Sequence, residues 1–260
     1  MSKRVDKIIS DIKSVKIQGA RNIAKAALLA YSSEPNEKTK ERLMLARPTE
    51  PMLVNTLNKF KKIGFEKTLT HFDEAQEKIN KLVFGLIKEN SIIFTHCHST
   101  NVANALIYAK KHWKKFEVYN TETRPLFQGR KTSKELAKAG IKVTGFIDSA
   151  AKIAIKKSNI IFFGADAILN HGVINKIGSG MFAEIAFDLK KPVYIIADSW
   201  KYSYVKVPIE SRAIAEIWDN APKNIRLKNP AFEMIEEKYL QGIVSELGVL
   251  PLQKFIHDSA

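Results

Sequence analysis

Two hydrophobic periods divide the chain. Through the first ninety residues apolar side chains recur at three- and four-residue intervals. Val5, Ile8, Ile9, Ile12 and Val15 form one stripe, and Ile23, Ala26, Ala27, Leu28 and Ala30 a second. Leu43 to Ala46, Met52 to Phe60, and the long amphipathic run through Phe72, Ile79, Leu82, Val83, Leu86 and Ile87 continue the pattern. Pro48 and Pro51 suit the entry to a new helix after the preceding one stops. The spacing predicts an N-terminal helical domain over residues 1–90, built as a bundle.

From Ser91 the period shortens. Strand-like runs at Ser91–Phe94, Glu117–Asn120, Lys142–Ile147, Ile160–Phe163 and Val193–Ala197 alternate with helical segments near 100–112, 132–139, 149–157 and 178–189. Alternating β and α elements predict an α/β fold with a doubly wound, mostly parallel sheet, so residues 91–260 are expected to form a Rossmann-like catalytic domain. No Gly-x-Gly-x-x-Gly follows the first strand, which argues against a dinucleotide.

Ligands of such sheets bind at the carboxyl ends of the strands. The residues there are polar: His96-Cys97-His98-Ser99, Thr121-Glu122-Thr123-Arg124-Pro125, Asp148-Ser149, Gly164-Ala165-Asp166 and Asp198-Ser199-Trp200-Lys201. Five such corners are expected to converge on one crevice holding a thiol, carboxylates and cations. Cys97 is the single cysteine, at a strand-to-helix corner suited to chemistry, although a lone cysteine also serves as a small buried hydrophobe. Its flanking histidines raise zinc, yet side chains alternate between opposite faces if the strand continues, and no second ligand pair has metal spacing, so no metal is expected. Asp166 follows a wholly apolar strand, where burial would raise its pKa and suit it to proton transfer; capping a turn is the other role open to it. Asn175-Lys176 and Gly178-Ser179-Gly180 open a helix in a form able to bind an anion.

Composition narrows the setting. The 260 residues are 45% apolar, enough for a sizeable core, and one cysteine rules out a disulfide framework. Neither a secretory leader in Met1-Ser2-Lys3-Arg4-Val5-Asp6 nor a run of transmembrane length is evident, so a soluble, cytoplasmic protein without membrane contact is expected. The net charge of +15, from 42 basic and 27 acidic residues, is spread over the chain and lacks an aromatic-basic RNA motif. The spread charge and missing motif make nucleic acid an unexpected partner; a positive field would also gather small phosphorylated substrates, so charge alone does not discriminate between the two.

The segments Thr95-His96-Cys97-His98-Ser99, Thr121-Glu122-Thr123-Arg124-Pro125 with Gln128-Gly129, Gly164-Ala165-Asp166 and Asn175-Lys176-Ile177-Gly178 resemble the archaeal ribose-1,5-bisphosphate isomerases. That group is similar to the methylthioribose-1-phosphate isomerases and to the regulatory subunits of the translation-initiation guanine nucleotide exchange factor. The likeness continues through Pro222-Lys223-Asn224-Ile225, Asn229-Pro230-Ala231-Phe232 and Gly248-Val249-Leu250-Pro251. Connections from Lys59 to Phe72 and from Lys201 to Asn220 are shorter than in the family.

The resemblance implies an aldose-ketose isomerase of nucleotide salvage without a cofactor, with Cys97 and Asp166 as its catalytic pair. Opening the sugar ring and moving hydrogen between C2 and C1 needs two positioned proton-exchanging groups, and either residue suits either role. It also implies substrate contacts from Gly19, Ala20, Arg21, Arg47, Ser99, Arg124, Asn175, Lys176 and Lys201, and a homodimer or larger homo-oligomer. The family's phosphate loop reads Arg-Gly-Ala where this chain has Gln18-Gly19-Ala20, a departure that bears on the substrate. For Arg47 a salt bridge, and for Lys176 and Lys201 a solvated surface position, are the alternatives. A non-catalytic regulatory subunit with a translation-factor partner, and a methylthioribose-1-phosphate isomerase, are the competing functions.

Overall fold

In the computed structural model, residues 3–14 and 16–259 are described; Met1, Ser2 and Val15 of the sequence analysis lie outside them. Four helices come first: α1 (Lys3–Lys13), α2 (Ala20–Ser33), α3 (Glu37–Ala46) and α4 (Pro51–Leu86). The α/β part follows as β1 (Ser91–Thr95), α5 (Thr100–Lys111), β2 (Phe116–Thr121), α6 (Gln128–Lys138), β3 (Lys142–Phe146), α7 (Ala151–Lys157) and β4 (Ile160–Phe163). After these come β5 (Ala167–Leu169), β6 (Gly172–Lys176), α8 (Ser179–Asp188), β7 (Val193–Ile196), β8 (Phe232–Glu236), β9 (Gly242–Ser245), β10 (Gly248–Leu250) and α9 (Leu252–Ser259).

The main sheet has seven strands in the order β10-β9-β7-β4-β1-β2-β3. All neighbouring pairs in it are parallel except β9 with β10. The doubly wound architecture expected from the β/α alternation is therefore present. Alternation along the strands separates two cores. On one face Ile93, Val118, Phe162 and Ile196 pack with Ile79 and Val83 of α4, Leu106 of α5 and Leu136 of α6. On the other, Phe94, Ile161, Phe163 and Ile195 pack with Ile155 of α7, Phe182 of α8 and Phe255 of α9.

Two features depart from the sequence reading. Helical spacing broken between Phe60 and Phe72 suggested two helices with a connection; α4 is indeed two helical stretches, but the break was not foreseen to be a single residue, Gly64, whose non-helical φ of 79° and ψ of 174° only glycine adopts freely. Its first half lies in the helical region, where Leu53 and Leu57 join Ile9, Ile23 and Leu43. Its second half covers the sheet. A small antiparallel sheet, β5-β6-β8, was also not foreseen. Its first two strands are short and buried throughout, so neither shows the alternation that marks a strand.

A wedge of aromatic rings ties the helices to the sheet. The Trp200 ring stacks on His71 at 3.6 Å between centroids and meets Phe72 edge-on at 5.8 Å, while Asn55 Nδ2 donates to the carbonyls of Trp200 and Tyr202, each at 2.8 Å. His71 Nε2 lies 3.1 Å from Asp198 Oδ1, and Glu246 accepts from the Ser199 amide and hydroxyl. Together they fix the Ser199–Lys201 turn. No described helix is long and apolar enough to cross a membrane.

Because Phe72 is 1% exposed, Phe72→Ala should cost about 3–5 kcal/mol of stability, the usual range for deleting a buried aromatic ring. Urea unfolding followed by circular dichroism reads this; a loss below about 1 kcal/mol would show that the wedge is not packed as described.

Candidate active site

The loop after β1 presents Cys97 under constraint. Its φ is 65°, a left-handed conformation uncommon outside glycine, and it is held from both sides. The Cys97 amide donates to Thr123 Oγ1 at 2.9 Å, and its carbonyl accepts from Thr132 Oγ1 at 2.8 Å. Thr123, itself at φ 64°, is anchored by Asp148: the amides of Thr123 and Arg124 donate to the two Asp148 oxygens at 2.8 and 2.6 Å. The end of β2 and the end of β3 therefore act as a clamp on the cysteine backbone.

The flanking histidines face opposite ways, because the strand ends at Thr95 and the left-handed Cys97 breaks the alternation, which on a continuing strand would put both on one face opposite the thiol. His96 is buried, with Nε2 donating to the Ile177 carbonyl at 2.9 Å and Nδ1 2.5 Å from Thr121 Oγ1, an assignment of the ring proton made from those partners. Burial pushes its pKa down to about 4, so it is neutral. His98 sits 3.1 Å from Thr132 Oγ1 on the far side.

Cys97, Ser99 and Asp166 line one cavity with Gly19, Ala20, Arg21, Arg47, Asn175, Lys176 and Lys201. The first turns of α2 and α5 both border it, so two sets of helix N-terminal amides bias it toward anions. Gly164 forms part of the wall because nothing larger fits: a Cβ there would stand 2.5 Å from Ser99 Cβ. Burial pushes the Cys97 thiol up to about 12, partly opposed by Lys176, and raises the Asp166 carboxyl, opposed by Lys201, Lys176 and Arg47. The thiol is neutral at neutral pH. Lys176 and Lys201 are not solvated: each is buried, and Lys201 Nζ donates to the Ala165 carbonyl at 2.6 Å.

Several expected contacts are placed differently. Arg124 stays outside the cavity, its guanidinium near the Ile217 carbonyl and the Phe127 ring, because the Asp148 clamp holds the backbone turned away. Asp148 and Asp198 are likewise spent on loop hydrogen bonds, so fewer than five corners feed the crevice. The amides of Gly178 and Gly180 at the start of α8 both donate at 2.7 Å to Glu233 Oε1, so that helix start already holds an anion supplied by the chain. Arg21 pairs with Asp73, and Arg47 with Glu210 at 2.7 Å, the salt bridge that was its alternative reading.

Lining residues that sequence reasoning missed include Glu50, Lys131 and Arg212, and Gln128 had entered only as part of a family-like segment. Arg212 is engaged by Glu210 and Glu216. Glu50 looks like an ordinary helix cap in the sequence, and Arg212 belongs to a stretch without periodicity. Outside the cavity, His71, Asp198 and Glu246 are grouped closely enough to face one another, and their hydrogen bonds serve the Ser199–Lys201 turn.

Known proteins are similar to this chain over most of its length. It is 33% identical to the ribose 1,5-bisphosphate isomerase of Methanocaldococcus jannaschii, with 93% of this chain and 90% of that protein covered. It is similar to the crystal structure of translation initiation factor eIF-2B from Pyrococcus horikoshii OT3, with a TM-score of 0.88, 25% identity, and coverage of 98% and 100%. The fold also matches 5-methylthioribose 1-phosphate isomerase from Pyrococcus horikoshii OT3, with a TM-score of 0.81, 24% identity, and coverage of 98% and 87%. The model of the initiation factor 2 subunit family matches residues 6–252, and the chain belongs to that family.

Proposed function

We propose that the protein is a sugar-phosphate aldose-ketose isomerase that converts ribose 1,5-bisphosphate into ribulose 1,5-bisphosphate, in nucleotide salvage. The observation that carries this reading is the joint presence of Cys97 and Asp166 in one desolvated, cation-lined cavity, in a chain similar to an enzyme of that name. Isomerisation starts by breaking the bond from C1 to the ring oxygen. The C2 proton leaves, the electron pair forms a C1–C2 enol, and the ring oxygen takes up a proton. Return of a proton to C1 and loss of the C2 hydroxyl proton then give the ketone. Two groups exchanging protons on one substrate face suffice, and both members of the pair are held protonatable by burial. Arg47, Lys176, Lys201 and the α2 start at Gly19-Ala20 supply charge for two phosphoryl groups. Asn175, whose Nδ2 donates to Ser179 Oγ at 2.8 Å, offers its carbonyl oxygen to a sugar hydroxyl.

A non-catalytic regulatory role is the second reading. It is favoured by the similarity to eIF-2B and by Gln18 at the position of the family's arginine. Incubation with ribose 1,5-bisphosphate, with methylthioribose 1-phosphate as comparison, decides between them. Ribulose 1,5-bisphosphate is the expected product, and no product from either sugar would favour the regulatory subunit. Cys97→Ser and Asp166→Asn should each lower kcat at least about 100-fold with KM changed much less, the range general acid-base groups supply. Turnover near the wild-type rate in both would overturn the assignment.

The reading includes a homodimer, supported by Ile153, Met181 and Phe187, large apolar side chains exposed on the neighbouring helices α7 and α8. Light scattering should give at least twice the 29.4 kDa of one chain; a monomer at micromolar concentration would remove it.

A further inference from the structure

Glu50 stands at the N-cap position of α4, between Pro48 and Pro51, yet its side chain makes no capping bond. It turns into the cavity instead, 3% exposed, and its Oε2 is buried without a hydrogen-bond partner. A buried carboxyl oxygen left unpaired is costly unless a ligand or a proton satisfies it. The charged groups that face it come from four elements: Arg47 at the end of α3, Asp166 after β4, Lys201 in the Ser199–Lys201 turn, and Glu210 in the following loop. Lys176 of β6 lies one step further, beside Asp166. Two of the four neighbours are carboxylates, and the cations are shared, Arg47 with Glu210 and Lys201 with Ala165.

The geometry points to Glu50 as a substrate-binding residue that, as the neutral acid, donates a hydrogen bond to a phosphoryl oxygen of the bound sugar phosphate and repels it once ionised. This inference rests on the proposed sugar-phosphate reading. A neutral carboxyl offers an O–H to an anion, whereas a carboxylate in the same place adds repulsion at short range in a poorly solvated site. Burial, together with the Asp166 charge, pushes the Glu50 pKa up to about 8, so the neutral form prevails at neutral pH. The acid also adds no negative charge to a cavity where Gln18 supplies no cation.

KM for ribose 1,5-bisphosphate, measured from pH 7 to 9, tests it, because the phosphoryl groups are fully ionised over most of that range. If only the neutral form binds, apparent affinity falls with its population, so wild-type KM should rise about 10-fold. In Glu50→Gln, which keeps a donor at that place, KM should change less than about 2-fold. Calorimetry at pH 8.5 in two buffers should show uptake of about 0.8 proton on wild-type binding, and none in Glu50→Gln.

A ligand-free arm reads the same proton. A carboxyl raised above its unfolded value contributes stability below about pH 4.5 that is lost as pH rises through about 8. Tm of Glu50→Gln relative to wild type should therefore increase between pH 5 and 9. An equal rise of KM with pH in wild type, Glu50→Gln and Glu50→Ala, in enzymes that turn over the bisphosphate, overturns the inference alone. A chain that does not bind the bisphosphate, yet binds inorganic phosphate with proton uptake lost in Glu50→Gln, overturns the proposed substrate and leaves the role of Glu50 intact.

Discussion

Desolvation at the carboxyl edge of the parallel sheet is the constraint on which the site depends. Cys97, Asp166 and Glu50 are each raised in pKa first by burial and only secondarily by neighbours. Removing water shifts the Asp166 and Glu50 carboxyls toward their protonated forms and holds the Cys97 thiol protonated, so each has a proton to give. The same low dielectric strengthens the pull of Arg47, Lys176 and Lys201, so the cations proposed to hold a phosphorylated ligand also keep Asp166 from rising further. Acid-base chemistry and anion binding are thus coupled through one shell.

The fold spends much of its loop polarity on building that shell. Asp148 fixes Thr123, Thr123 and Thr132 fix Cys97, and His96 locks β1 to the segment before α8. Asp198, Glu246 and His71 do the equivalent for the turn that delivers Lys201, with Trp200 wedged against α4. These polar side chains never reach the cavity, and a misplacement of the groups they hold by about 1 Å would matter to catalysis. The helical region contributes through the same contacts: α4 caps the cavity with Glu50, kinks at Gly64, and then lies on the sheet.

The chain answers several of its own charges. Glu233 occupies the amides at the start of α8, and Glu210 bridges Arg47 and Arg212. The proposed phosphorylated substrate would therefore meet cations that are partly balanced by carboxylates rather than bare cationic space.

The helix-to-strand change at Ser91, the parallel sheet, and the placement of Cys97 and Asp166 at strand ends were legible in the sequence, because periodicity and strand-end position are local properties. Motif likeness added Arg47, Asn175, Lys176 and Lys201, and the cavity contains all four. Arg124 sat in a family-like segment and still lies outside the cavity, in a loop whose Thr123 and Arg124 amides are held by Asp148 from the next strand end. Strands β5 and β6 were invisible since burial on both faces erases alternation. The sequence by itself determined which groups are present and at which strand end each begins. Only the tertiary structure decided which of them are paired, which are dry, and therefore which carry a proton, because pairing and desolvation are set by neighbours distant in sequence.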